Sequence, residues 1–370
     1  MTTLPTLSTG IRNARNVVHY LFGAGAIADL SAILDGHCHN TSRTAIFFID
    51  HFFRNHNLSE GFNAVTSGHQ IIYVDTTGEP TTSFMNFMRD RVVADSAELP
   101  CAIVGIGGGI TMDVAKAVSN LLSNGGDAED YQGWDLVRLP GIFKVAVPTL
   151  SGTGAESTRT CVMTNTASGL KLGMNSDFTV FDQIILDPDL TRTVPRDQYF
   201  FTGMDAFIHC MESLNGSYRN AIGDAYSSQT MQLCRDVFLG DDMMSDENRA
   251  KLMVASYLGG CAIATSYVGV LHPFSAALSV VLGLHHGVAN CITMRAMEEF
   301  YPEGYSEFYR MAERQGVSIP EGVCRNLTDD QYERLYAATI IHEKPLTNAL
   351  GEHFKDILTR WKVRKLFLRM

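Results

Sequence analysis

With 370 residues the chain is too long for one ordinary core, and about two domains are expected. A composition of 45% hydrophobic and 19% charged residues is that of a globular protein. The formal net charge of −11, without any basic run carrying interleaved aromatics, argues against nucleic acid as a partner, because phosphate binding needs a basic face.

The amino-terminal stretch MTTLPTLSTGIRNARN lacks the apolar core of a signal peptide. Short apolar runs then alternate with helical patterns, the signature of βαβ units and a parallel sheet. Strands are expected at Ala45–Ile49, Ile71–Val74, Ala102–Ile106, Val145–Val147 and Ile184–Leu186, with helices over Thr82–Ala94 and Met112–Leu122. Cys161–Met174 holds a polar turn between two apolar arms and predicts a hairpin. After Pro195 strand patterns vanish and helical periodicity takes over. The predicted organisation is an α/β domain over 1–198 and an all-α domain over 199–370.

From Leu252 to Leu284 there is no Asp, Glu, Lys or Arg, a length that could span a bilayer. Gly259, Gly260, His272, Pro273 and Gly283 interrupt it, and histidines are costly in lipid, so buried helices and no membrane association are expected. The basic tail TRWKVRKLFLRM predicts a docked terminal helix. Eight scattered cysteines without a C-x-x-C point to reduced, mostly buried thiols in a cytoplasmic protein.

Three features carry nucleotide chemistry. In VGIGGGITMDVAKAVSN an apolar strand runs into Gly107, Gly108 and Gly109, followed by a helix bearing Asp113 and Lys116. Glycines there let backbone approach a pyrophosphate at a helix N-terminus, although a triple glycine can also be only a tight turn. PTLSGTGAE (148–156) follows another strand with small residues suited to lining a nucleotide, or to capping the next helix. Asp50 ends the strand TAIFFID, where a carboxylate can take both ribose hydroxyls and favour NAD over NADP, or simply form a turn.

A fourth feature carries metal chemistry. Asp205 and His209 are spaced i, i+4, one above the other on a helix face, and His272 and His286 follow. One carboxylate and three imidazoles suit Fe2+ or Zn2+ better than Mg2+ or Ca2+. An isolated D-x-x-x-H is more often a salt-bridged pair; the nucleotide loop upstream is what gives this set its meaning.

IGGGITMDVAKA, PTLSGTGAE, TGMDAFIHCMES and HHGVAN, in that order over roughly residues 15–370, resemble the iron-containing (group III) alcohol dehydrogenases. The resemblance implies a Rossmann-like NAD-binding domain followed by an all-helical domain, the architecture shared with dehydroquinate synthase, with the active site in the cleft between them. It implies Asp205, His209, His272 and His286 as metal ligands and Gly107–Gly109 as the phosphate loop, with Asp113 on the following helix counted among the cofactor-binding residues. Thr149 and Thr153 would line the nucleotide, and Lys171, in GLKLG, would lie near the cofactor. It also implies Lewis-acid hydride transfer from a metal-bound alkoxide to NAD, and a homodimer.

Two departures bear on the chemistry. The histidine usual four residues after the third ligand is Ala276, and the proline usual before the last ligand is His285, a candidate substitute in proton relay. The second threonine of the usual P-T-T is Leu150. Taken whole, and especially in FTGMDAFIHCMESLNGSYRN and IIHEKPLTNALGE, the chain is similar to the 3-deoxy-D-manno-octulosonate 8-oxidase branch. That likeness implies a sugar-acid substrate oxidised at its terminal hydroxyl and functional coupling to an aminotransferase, with Arg159 as a candidate for the acidic group. Generic primary alcohol or diol oxidation is the broader alternative. A lyase resembling dehydroquinate synthase is the rival, and it lacks this ligand pattern.

Overall fold

The computed structural model describes residues 15–38, 43–56, 58, 62–95 and 98–370, so most of the stretch weighed above as a leader lies outside it. Among the described residues nine strands form: β1 (His19–Phe22), β2 (Ile46–Asp50), β3 (Gln70–Val74), β4 (Ile103–Gly107), β5 (Gly133–Trp134), β6 (Lys144–Pro148), β7 (Thr160–Asn165), β8 (Leu170–Asn175) and β9 (Gln183–Leu186). Six of them make an all-parallel sheet in the order β1-β9-β6-β4-β2-β3. Every residue of β4, β6 and β9 is buried, as a sheet covered on both faces requires.

Successive residues point to opposite faces of a strand, and the core divides accordingly. Phe47, Ile49, Val104, Ile106, Val145, Val147 and Ile185 pack with Ile27, Leu30 and Leu34 around helix α1 (Leu30–Cys38). The short α2 (Phe62–Val65) joins that face through Phe62. The opposite face carries α4 (Gly109–Asn124), which follows α3 (Thr82–Asp95). Gly105 lets α4 approach closely: a Cβ there would stand 3.0 Å from the Ala115 Cβ. β7 and β8 form the expected antiparallel hairpin, and β5 extends it into a three-stranded sheet.

β2 leads outward to β3, and β4 then returns to the other side of β2. The strand order therefore reverses between β2 and β4, the position at which open parallel sheets bind ligands beyond the carboxyl ends of their strands. Asp50 ends β2 and Gly107 ends β4.

The second unit, Pro195–Met370, is helical: α5 (Arg196–Asn215), α6 (Ala221–Phe238), α7 (Asp246–Ser266), α8 (Leu271–Leu282), α9 (His286–Met294), α10 (Pro302–Gln315), α11 (Asp329–Ile340), α12 (Glu343–Leu350), α13 (Phe354–Ile357) and α14 (Arg360–Phe367). α5 is its axis, packed on α6, α7 and α9. Gly152–Gly154, from the loop after β6, belong to this unit. A Cβ on Gly152 would fall 1.7 Å from the Thr202 carbonyl oxygen, and one on Gly154 2.6 Å from the Gly260 Cα. The glycines of SGTG are thus required by helix packing, a reason the sequence pattern alone did not suggest.

The charge-free 252–284 stretch is split between α7 and α8, which are bent by 106°, and no single helix among the described residues is long and apolar enough to cross a membrane. One cysteine expectation is overturned. Cys38 and Cys101 form a disulfide that ties the end of α1 to the segment just before β4, while the other six cysteines are buried outside any disulfide. Their separation of 63 residues gives no local signal; the parallel sheet is what brings them together.

Candidate metal centre and nucleotide loop

The metal candidates come from three helices. Asp205 and His209 lie one turn apart on α5, His272 stands in the first turn of α8, and His286 opens α9. The Nε2 atoms of His209 and His272 lie 3.3 and 3.2 Å from Asp205 Oδ1, and that of His286 lies 3.4 Å from Oδ2. Asn290, one turn after His286, donates to Asp205 Oδ1 at 2.7 Å. The Asp205 carboxylate is fully buried.

Burial by itself would raise the Asp205 pKa, yet His209 and His286 beside it hold the carboxyl well below the usual carboxylate range. Burial drives His209 down to about 3 against the attraction of Asp205, leaving a neutral ring with a lone pair to offer. His272 behaves oppositely: burial opposes its charge, but Glu212 and Asp205 together lift it to about 9. A dry carboxylate ringed by imidazole nitrogens is a donor set for a borderline divalent cation. Ligand atoms of Asp205, His272 and His286 all lie within 4.8 Å of one another, so the residues present fit such an ion.

In the α/β unit, Gly108 precedes α4 and brings no side-chain cap, so the first N–H groups of that helix face the end of β4. A Cβ on Gly107, whose φ is +157°, would stand 2.5 Å from Thr111 Oγ1 and 3.0 Å from the Asp50 Cβ. Asp50 and the glycine loop are therefore immediate neighbours. Thr149 N–H donates to the Gly107 carbonyl at 2.9 Å, and Leu150 lays its side chain against Gly108.

Residues 18–188 match the iron-containing alcohol dehydrogenase family, and residues 200–335 match its C-terminal domain. The chain belongs to that family. Members of that family are named as alcohol dehydrogenases, and one neighbour of this fold was solved with NAD+. The chain is 34% identical to sulfoacetaldehyde reductase of Bilophila wadsworthia, over 59% of the chain and 56% of the relative. It is 33% identical to the NAD-dependent methanol dehydrogenase of Bacillus methanolicus, over 59% of the chain and 58% of the relative. The matched region thus spans little more than half the length of these relatives. Sulfoacetaldehyde reductase from Bifidobacterium kashiwanohense, solved with NAD+, shares the fold with a TM-score of 0.80 at 21% identity, covering 97% of this chain and 98% of that one.

Other expected site residues are already engaged. Lys171 is buried and bonds Glu79 at 2.8 Å. Asp113 Oδ2 accepts the Val162 N–H on β7 at 3.0 Å. The neighbouring Lys116 is fully buried and donates to the carbonyls of Thr158 and Thr160. Arg159 pairs with Asp135 and Asp177, which commits the candidate for an acidic substrate group to the protein itself. Thr153 lies half-buried among the three residues that join the helical unit. His285 is exposed at the N-cap of α9, while His286 is half-buried.

Two residues went unrecognised in the sequence. Asn290 lies four after His286, and Glu212 lies three after His209 on the same face of α5. Both spacings were legible as i, i+4 and i, i+3 neighbours; neither residue type stands out as a metal ligand.

Proposed function

We propose that this iron-containing alcohol dehydrogenase oxidises a primary alcohol with NAD, with Asp205, His209, His272 and His286 holding Fe2+ or Zn2+. The observation that carries this reading is the convergence of three imidazole Nε2 atoms on the buried Asp205 carboxylate. When bound, the metal would polarise the substrate oxygen and NAD would take the hydride. The chain's own residues bind and orient. Gly107, Gly108 and Gly109 admit the pyrophosphate at the α4 N-terminus, and Asp50 takes the ribose hydroxyls. Asp113, Thr149, Thr153 and Lys171 complete the cofactor site, Asp113 and Lys171 by bracing the hairpin behind it. His285, exposed beside His286, hands the proton to solvent, since Ala276 offers no imidazole.

The specific substrate we propose is the sugar acid 3-deoxy-D-manno-octulosonate, oxidised at its C8 hydroxyl ahead of transamination in lipopolysaccharide biosynthesis. Support comes from the whole-chain likeness. A relative named for sulfoacetaldehyde, another small anionic carbonyl compound, is consistent with an acidic substrate in this family. Generic primary alcohol or diol oxidation is the second reading. A homodimer is supported by β1, an edge strand with Tyr20 and Phe22 exposed. Cytoplasmic placement is supported by the six cysteines that form no disulfide, Cys38–Cys101 being the exception.

The test compares adjacent histidines. His286→Ala is expected to lose bound metal and to lower alcohol-dependent NADH formation at least ~100-fold, more than loss of an outer partner produces, while remaining folded. His285→Ala is expected to keep its metal. Metal analysis showing equal loss from both would overturn the ligand register.

A further inference from the structure

Glu212 is fully buried, and its carboxylate is held between the first turn of α8 and Tyr301. Oε1 accepts the Leu271 backbone N–H at the start of α8 and the Tyr301 hydroxyl at 3.4 Å. Oε2 meets His272 Nδ1. The cage is tight. A Cβ on Gly269 would stand 2.3 Å from the Tyr301 hydroxyl and 3.2 Å from Glu212 Oε1. His272 is thus gripped at both ring nitrogens, Nδ1 by Glu212 and Nε2 facing Asp205 at 3.2 Å. His209 differs, since its Nδ1 is buried without a hydrogen-bond partner among the described residues.

We propose that Glu212 is a positioning residue that keeps the His272 proton on Nδ1 and so turns the Nε2 lone pair toward the cation. This rests on the metal reading given above. A carboxylate only accepts, so a neutral His272 must present N–H at Nδ1. The carboxylate also meets the first-turn N–H of α8, where the helix dipole favours negative charge and fixes the depth of that oxygen pair. A carboxylate behind a ligand imidazole sets its tautomer, its orientation and its basicity.

An amide cannot do the same work. In Glu212→Gln, if the oxygen stays with Leu271 N–H, the NH2 group faces His272 and drives the proton to Nε2. If the amide flips, the NH2 group opposes the Leu271 N–H. The measurement is Zn2+ affinity of the chelator-stripped full-length chain, by competition with a chromophoric chelator, alongside its metal-free melting temperature. Glu212→Gln is expected to bind Zn2+ roughly 10- to 100-fold more weakly. If that variant does not fold, Glu212→Asp carries the same expectation, since it withdraws the oxygens by one methylene while keeping the charge. A Glu212 variant that melts lower yet binds Zn2+ as the wild type does would reduce the residue to a packing role and overturn the proposal. His272→Ala separates the two readings: weak binding there with normal binding in the Glu212 variants sinks only the positioning role. Normal binding in His272→Ala sinks the metal assignment itself.

Discussion

Asp50 forms a local turn and, in the function proposed above, would also select the cofactor. Its Oδ1 accepts the Phe52 N–H at 3.0 Å and the Thr76 hydroxyl at 3.1 Å, the local role that any strand-ending Asp can play. Its Cβ also lies next to Gly107, at the reversal of strand order, where the ribose of a dinucleotide belongs. A carboxylate there hydrogen-bonds a 2′-hydroxyl and repels a 2′-phosphate. NAD is expected to be used in preference to NADP, and Asp50→Gly to narrow the preference by on the order of tenfold in kcat/KM. Steady-state kinetics with both cofactors decide it; a wild-type preference for NADP would remove Asp50 from the site. At this scale the sequence was informative where residue type is diagnostic, as with Asp205 and its three histidines. It was silent on Glu212 and Asn290, whose roles appear only when α5, α8 and α9 are assembled around them.

Among the elements, α4 carries the least expected electrostatics. Its Asp113 braces β7 through Val162, and burial pushes that carboxyl up to about 7 against the pull of Lys116. The ordinary value is 3.8, so between 3.8 and about 7 the folded chain holds a proton that the unfolded chain has released. Stability from this group therefore falls as pH rises through that window, and the cost is fully present above it. Asparagine keeps the acceptor for the Val162 N–H without the charge. Asp113→Asn is expected to melt close to wild type at pH 4.5 and above it at pH 8. A gain of the same size at both pH values would show that the carboxyl titrates normally. Elements with strong periodicity, such as β4 and α4, were legible from sequence. The four-residue β1, mostly exposed, offered too few positions for a pattern and is defined by its pairing with β9. Of the interruptions named in the 252–284 stretch, only His272 and Pro273, in the first turn of α8, lie near the break after α7; Gly259 and Gly260 sit inside α7, which Tyr267 closes with φ at +60°.

For the molecule as a whole, the alternation of strands and helices, and its end near Pro195, was enough to give the two architectures. Features joining distant segments were not legible: the Cys38–Cys101 bond and the dependence of Gly152 and Gly154 on α5 and α7 exist only after folding. The substrate is likewise a property of the whole chain. The terminal hydroxyl of 3-deoxy-D-manno-octulosonate is a primary alcohol, and its oxidation by NAD is uphill near neutral pH. Little aldehyde is then expected to accumulate alone, so a weak signal in a simple NADH assay would not distinguish a poor substrate from an unfavourable equilibrium. Coupling the dehydrogenase to an aminotransferase with glutamate removes the aldehyde and pulls the reaction forward. The expected outcome is NAD-dependent appearance of the 8-amino sugar by mass spectrometry, abolished when either enzyme is omitted. If the sugar acid gives no product under coupling while butanol or propanediol is turned over rapidly, the sugar-acid assignment is lost and only the broader proposal of primary alcohol oxidation stands.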